Sequence, residues 1–418
     1  MLRGIKGVKD ILPDEIARWQ LIEDMARRLS LSYGYQEIRV PVFEMTELFA
    51  RSIGASTDIV EKEMYTFQDR DGTSLTLRPE ATAGVVRAYI EHNLGGSAVS
   101  QKFFYLGPMF RHERPQAGRL RQFHQYGVEY FGMRSPLADV EVVSLLWRFL
   151  SGLGLPDLTL EINSLGDAAD RPPYKAALLE FLKTREDRLC QNCRRRMGTN
   201  PLRVLDCKVP GCQAATEDAP RITDHLSADS RRHFEDVQAG LRDLGIPFSL
   251  NSRLVRGLDY YTQTIFEVTS GRLGAQNAVA AGGRYDGLVE ALGGASTPAV
   301  GFAVGLERVA LVLPASAIPR PHSLIFVAAF GEQGVTAGTR VLDELRGLGL
   351  RADTDYRAST LKAHLRQADR LGAEYVVIIG DDEVTKGRLL VRNMRTKEQE
   401  ELPLLTAARS LSSRLKTG

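Results

Sequence analysis

Residues 110–132 read FRHERPQAGRLRQFHQYGVEYFG, and the fold can be worked out from this stretch. The segments 101–111 and 122–131 are strand-like, and the polar run His112 to Arg121 joins them. Arg111, Arg114, Arg119 and Arg121 crowd the connecting loop, and Glu113, Gln125 and Glu129 lie close by in sequence. Guanidinium forks bind phosphate oxygens two at a time and stay charged, so such a loop suits a polyphosphate. Phe123 adds a ring face on which a purine can stack. The competing reading is a solvated hairpin with a surface ion-pair network, which would contribute little.

Upstream, Ile16, Trp19, Leu21, Ile22, Met25 and Leu29 recur at helical spacing, and the pattern stops at Tyr33-Gly34-Tyr35. The run Glu37 to Val40 alternates like a strand and ends at Pro41, which cannot sit inside a central strand. Residues 64–78 read as two strands around the turn Asp69-Arg70-Asp71-Gly72. Downstream, 254–269 and 298–304 are strand-like again. Strands in this order with helices between them predict an α+β catalytic core with a mostly antiparallel sheet, over residues 1–313. Within it, 170–245 is helix-rich and charged and carries all the cysteines, which predicts a helical insertion lacking a core of its own. Three prolines in residues 314–322 mark a linker. From 323 to 418 the pattern alternates βαβα, predicting a separate α/β domain with a largely parallel sheet.

At 418 residues, with 43% hydrophobic and 7% aromatic composition, the chain suits two or three globular domains. No uncharged apolar run reaches the roughly 18 residues a membrane span needs. The opening MLRGIKGVKDILPDE has acids where a secretion signal needs an apolar stretch, so a cytoplasmic location is expected. Net charge is only +2, and residues 320–418 hold 16 Lys and Arg against 13 Asp and Glu. That places the basic excess at the C-terminal end, where a polyanionic partner would be met.

The stretch 110–132 resembles motif 2 of class II aminoacyl-tRNA synthetases, in which an Arg-x-Glu pair opens a strand–loop–strand that holds ATP. Arg111 and Glu113 match the pair. Residues 298–308, PAVGFAVGLER, look like motif 3, and the helix and strand ending at Pro41 are similar to the dimer-forming motif 1. On their own, Gly301 and Gly305 would as readily mark close helix packing. LVRGLDYYTQTIFEV at 254–268 and AGGRYDGLV at 281–289 resemble signatures of histidyl-tRNA synthetases.

This resemblance implies ligation of L-histidine to tRNA(His) by a homodimer, through a histidyl-adenylate made from ATP with Mg2+. It implies that Arg111 and Arg256 face each other across the α-phosphate, and that Glu113, Arg119, Phe123 and Arg308 bind ATP. Glu80, Thr82 and Gln125 fall where the family binds the α-ammonium. Glu129, Tyr260, Tyr261 and Tyr285 are the candidates for reading the imidazole, whose two ring nitrogens need different partners. Plainer readings stand beside these: Glu80 as an ordinary helix start, and Arg256 in a capped turn paired to Asp259. The C-terminal domain resembles an anticodon-binding module. The rival from another class is the non-catalytic regulatory subunit of ATP phosphoribosyltransferase, which shares the core fold but lacks that domain.

Cys190-x2-Cys193 and Cys207-x4-Cys212 come near the spacing of a four-cysteine zinc site. The family as a whole does not depend on zinc there, so a structural zinc and no metal both stay open. His112 and His124 have no spacing suited to a catalytic metal, and His124 alternates with Phe123 and Gln125, which points it away from the pocket.

Overall fold

Period-two alternation along 122–131 has a direct physical outcome: Tyr126, Val128 and Tyr130 enter the main hydrophobic core, while Phe123, Gln125 and Glu129 face a cavity on the other side. The computed structural model describes residues 2–319 and 323–416, save 55, 56, 58, 97–99, 275, 276, 358 and 359. The chain divides into two units, 1–319 and 320–418.

The strands of the first unit, in chain order, are β1 (Gln36–Glu37), β2 (Phe43–Met45), β3 (Tyr65–Gln68), β4 (Ser74–Leu77), β5 (Gln101–Phe110), β6 (Gln122–Phe131), β7 (Leu158–Ser164), β8 (Ser249–Leu250), β9 (Thr262–Ser270), β10 (Ala278–Arg284) and β11 (Ala299–Gly305). Eight of them form one sheet in the order β1-β5-β6-β11-β10-β9-β7-β8. Pairing is antiparallel throughout except at the two edges, where β1 lies parallel to β5 and β8 parallel to β7. The remaining three make a small sheet, β2-β4-β3. The strand expected over Glu37–Val40 pairs only through Gln36–Glu37 and then leaves the sheet before Pro41.

Helices Pro13–Ser32 and Pro136–Gly152 cover the core face. The second begins with Pro136 in its first turn and Ser135 accepting the Leu137 N–H at 3.3 Å. Leu145, Leu146, Phe149 and Leu150 are fully buried because the helix lies between the sheet and helix Ala228–Asp243. Each such side chain contributes on the order of 1.5–3 kcal/mol.

Two expectations need correction. Residues 254–261 are not strand: β9 starts at Thr262, and the preceding stretch is a loop held to the helical insertion by Arg203, which donates to the Gly257 carbonyl, and by Arg253, which donates to the carbonyls of Leu205 and Thr216. Nor does the insertion lack a core. Leu178, Leu182, Leu189, Met197, Val204 and Leu205 bury together with Leu254, Val255 and Ile265. Charged residues flank these apolar positions one by one, so composition hides them. Its last helix, Ala228–Asp243, belongs to the main core through Phe234, Val237 and Leu241.

The second unit has β12 (Ile325–Ala329), β13 (Ala352–Asp353), β14 (Tyr375–Ile379), β15 (Arg388–Asn393) and β16 (Gln399–Pro403), ordered β13-β12-β14-β15-β16. β13, β12 and β14 run parallel, with helices Glu332–Gly347 and Leu361–Arg370 as crossovers. The hairpin β15–β16, which the sequence reading does not name, adds two antiparallel strands.

Candidate active site

A cavity of about 290 Å3 opens on the face of the large sheet turned away from the core helices. It is lined by Glu80 and Thr82 before and at the start of helix Thr82–Glu91, by Arg111, Glu113, Arg119, Phe123, Gln125 and Glu129 from the β5–β6 hairpin, by Arg256, Tyr260 and Tyr261 from the loop before β9, by Tyr285 after β10, and by Arg308 after β11. These residues come from five stretches spread over more than half the chain, and the antiparallel order of the sheet brings them to one face. Arg114 and Arg121 do not line it.

One end is a buried acid among hydroxyls. Glu129 is 1% exposed; Thr82 Oγ1 donates to it at 2.7 Å and the Tyr285 hydroxyl donates to its other oxygen. Burial, opposed by those two hydrogen bonds and aided by the nearby charge of Glu80, pushes Glu129 up to about 8. Glu80 accepts the N–H groups of Thr82 and Ala83 at 2.7 and 3.0 Å, so it caps the helix while also lining the cavity. Burial raises its pKa above the usual carboxylate value as well, against those backbone donors. The Oε1 of Gln125 is buried without a hydrogen-bond partner. Tyr260 packs edge-on against Tyr285 at 5.6 Å and tilted against Tyr261 at 4.7 Å.

The other end is basic. Arg111 donates from Nε to the Pro79 carbonyl at 2.8 Å and lies over the Phe123 ring at 5.4 Å, occupying one of the two faces a purine could use. Arg256 pairs through Nη1 with Glu267 at 2.8 Å, not with Asp259, whose carboxylate accepts from Asn200 instead. The Nε of Arg256 is buried and has no partner. Arg119 pairs with Glu113 at 2.8 Å. Arg308 donates from Nε to the Gly118 carbonyl at 3.2 Å and from Nη1 to that of Ala278. Burial first, and then the charge of Arg119, lower its pKa, against the charges of Glu113 and Glu267.

His124 faces the core side, bonded to Glu307 at 3.0 Å and edge-on to Trp19. Sequence reasoning misses Tyr105 and Glu267, both on the cavity wall. Glu267 had a signal: it is an acid between Phe266 and Val268 in an otherwise uncharged strand. Tyr105 had none, standing in an aromatic run where any residue could be core.

A mostly antiparallel sheet that joins an arginine-bearing hairpin, a glycine-rich strand and a polar cavity is the catalytic core of a class II aminoacyl-tRNA synthetase. A family model described as histidyl-tRNA synthetase matches residues 7–309, and one described as anticodon binding domain matches 325–414. The chain belongs to the histidyl-tRNA synthetase family. It is 53% identical over 406 residues to the histidine–tRNA ligase of Desulfatibacillum aliphaticivorans, spanning 97% of each chain. It is 52% identical to that of Trichlorobacter lovleyi over 97% of each chain. The crystal structure of apo histidyl-tRNA synthetase from S. aureus is 38% identical, with a TM-score of 0.83 over 99% of this chain and 100% of that one.

Proposed function

We propose that the two ends of this cavity divide the ATP-dependent ligation of L-histidine to tRNA(His), the basic end taking the nucleotide and the acid–tyrosine end taking the amino acid. Histidine lies with its imidazole toward Glu129, Tyr260, Tyr261 and Tyr285, and its α-ammonium toward Glu80, Thr82 and Gln125. ATP lies along Arg111, Glu113, Arg119, Phe123 and Arg308, and its Mg2+ enters with it; Glu113 supplies a carboxylate of the hard-oxygen kind that ion prefers.

The histidine carboxylate then attacks the α-phosphorus in line and pyrophosphate leaves. Arg111 and Arg256 neutralise the charge that builds on the α-phosphate oxygens. No side-chain nucleophile is called for, because the attacking group is already a carboxylate, and the cavity has to align and stabilise it. In the second step a ribose hydroxyl of tRNA attacks the adenylate carbonyl and AMP leaves. The observation that carries this reading is the unpartnered Nε of Arg256, a buried donor in the same cavity as the unpartnered Oε1 of Gln125.

A homodimer in the cytoplasm, with residues 320–418 reading the anticodon region, completes the proposal. The regulatory-subunit reading has less support, since relatives about half identical over nearly the whole chain carry the ligase name. ATP–pyrophosphate exchange run with each of the twenty amino acids tests the assignment. Exchange that depends on histidine alone is expected; exchange with another amino acid, or none, would overturn it.

A further inference from the structure

We propose that Cys190, Cys193, Cys207 and Cys212 hold one zinc ion, and that this centre fixes the loop carrying Arg256. The four sulfur atoms all lie within 4.8 Å of one another. Cys190 Sγ and Cys207 Sγ are 4.0 Å apart. A tetrahedral zinc with bonds near 2.3 Å sets its thiolates about 3.8 Å from each other, so the four side chains stand close to where one ion needs them. None of the four is in a disulfide. A multi-iron cluster would divide its thiolates among several metal atoms and spread them wider than this. Among the described residues, no other group of three or more His, Cys, Asp or Glu side chains is arranged to hold a metal.

The surroundings suit thiolates. Cys190 precedes helix Gln191–Thr199 and Cys193 sits in its first turn, where the helix dipole favours negative charge. The Cys190 N–H donates to Cys212 Sγ at 3.1 Å. Cys193, Cys207 and Cys212 are buried among apolar side chains, which would keep water and competing ligands away from a bound ion. An ion there would tie residue 190 to residue 212 and close both ends of the segment 194–206.

That segment holds the catalytic loop. Asn200 Nδ2 donates to Asp259 at 2.9 Å, and Arg203 Nη1 donates to the Gly257 carbonyl at 3.2 Å. From the other direction, Arg253 donates to the carbonyls of Leu205 at 3.3 Å and Thr216 at 2.9 Å. Leu254, Val255 and Tyr261 share one apolar cluster with three of the cysteines. The backbone on either side of Arg256 is therefore pinned to residues that the metal would hold in place. Only this coupling rests on the proposed role of Arg256; the metal itself does not.

The test begins with the full-length protein purified under reducing conditions without added metal or chelator. Elemental analysis should return about one zinc per chain and no iron. Less than about a tenth of an equivalent of zinc, or iron in its place, would overturn the site. Cells grown on cobalt should yield protein with the visible absorption of tetrahedral cobalt thiolate, and Cys193→Ser should lose it. The double variant Asn200→Ala/Arg203→Ala should keep its zinc and lower the kcat of histidine-dependent pyrophosphate exchange at least about tenfold, since small misplacements of a catalytic group are costly. Unchanged kcat with zinc retained would overturn the coupling and leave the site standing. An active Arg256→Ala would instead strike at the reading of Arg256.

Discussion

Gly301 and Glu129 face each other across β11 and β6, and a Cβ built on Gly301 would lie 2.2 Å from the carboxylate of Glu129 and 2.3 Å from the Val128 carbonyl. The glycine that looked like a packing device in sequence leaves the room in which the buried acid sits. Gly305, four residues on, has no such duty: a Cβ there would meet only Arg308, at an ordinary 3.7 Å.

Gly301→Ala should therefore raise the KM for histidine at least about tenfold, by displacing Glu129 from its hydroxyl partners and pushing the Val128 carbonyl beside it out of register. Gly305→Ala should leave that KM within about twofold, because its contact is ordinary. Steady-state pyrophosphate exchange on the two variants decides; equal effects would mean that the strand, not the acid, responds to the substitution.

Arg256→Ala should lower kcat for exchange by about 10²–10³, the usual loss when a preorganised donor to a developing charge is removed. Arg256→Lys should recover little of it, since a point charge cannot both pair with Glu267 and present a second N–H. A melting temperature within a few degrees of the parent would show that the loss lies in catalysis.

Glu129 ionises at about 8 in the folded chain. The unfolded value is about 4.3, so between these two the folded state keeps a proton that the unfolded state has released. Stability from this source is full below the lower value and is lost as pH rises through the upper one. Wild type should lose stability relative to Glu129→Gln between about pH 5 and pH 8. Histidine binding should also weaken above about 8, where Glu129 has given up the proton it can donate to an imidazole nitrogen, and the variant, which keeps an N–H donor, should lack that alkaline limb. Melting curves and histidine titrations across this range measure both.

Asp139 and Arg284 form a buried ion pair, 0% and 1% exposed, behind the sheet. Burial would raise the Asp139 carboxyl, but the charge of Arg284 wins and holds it below its usual range. Arg284→Met should cost about 3–5 kcal/mol, because the Asp139 charge stays buried with only His233, at 3.5 Å, beside it, and Asp139→Leu/Arg284→Met should restore most of it. Denaturant titration of the three proteins separates pairing from packing.

Ending the chain at residue 319 leaves the first unit whole. Histidine-dependent pyrophosphate exchange should survive this truncation within a few fold, while tRNA charging falls far more steeply. If the shortened protein charged tRNA as well as its parent, the reading of 320–418 would fail.

Much of the fold was legible because its signals are local. The β5–β6 hairpin shows as alternation around a polar loop, and the prolines of 314–322 show a boundary. The loop at 254–261 reads as strand because Leu254, Val255, Tyr260 and Tyr261 are strand-prone residues, buried here by the insertion and not by ladder pairing. The insertion's own cluster stayed hidden because it closes only in three dimensions, against β9 and its approach. Candidate residues in motif-like stretches fell together on one wall, whereas Tyr105 and the Arg256–Glu267 pair depend on register across the sheet.

The strand order also sets a timetable for synthesis. β11 lies between β6 and β10, so β6 has no neighbour on that side until residues 299–305 have been made. A β5–β6 hairpin formed before then would have an unpaired edge carrying Phe123, Tyr126, Tyr130 and Phe131, of the kind that recruits other strands. Ribosome pausing between β6 and β11 would lengthen that exposure, and holdase chaperones would find their target there.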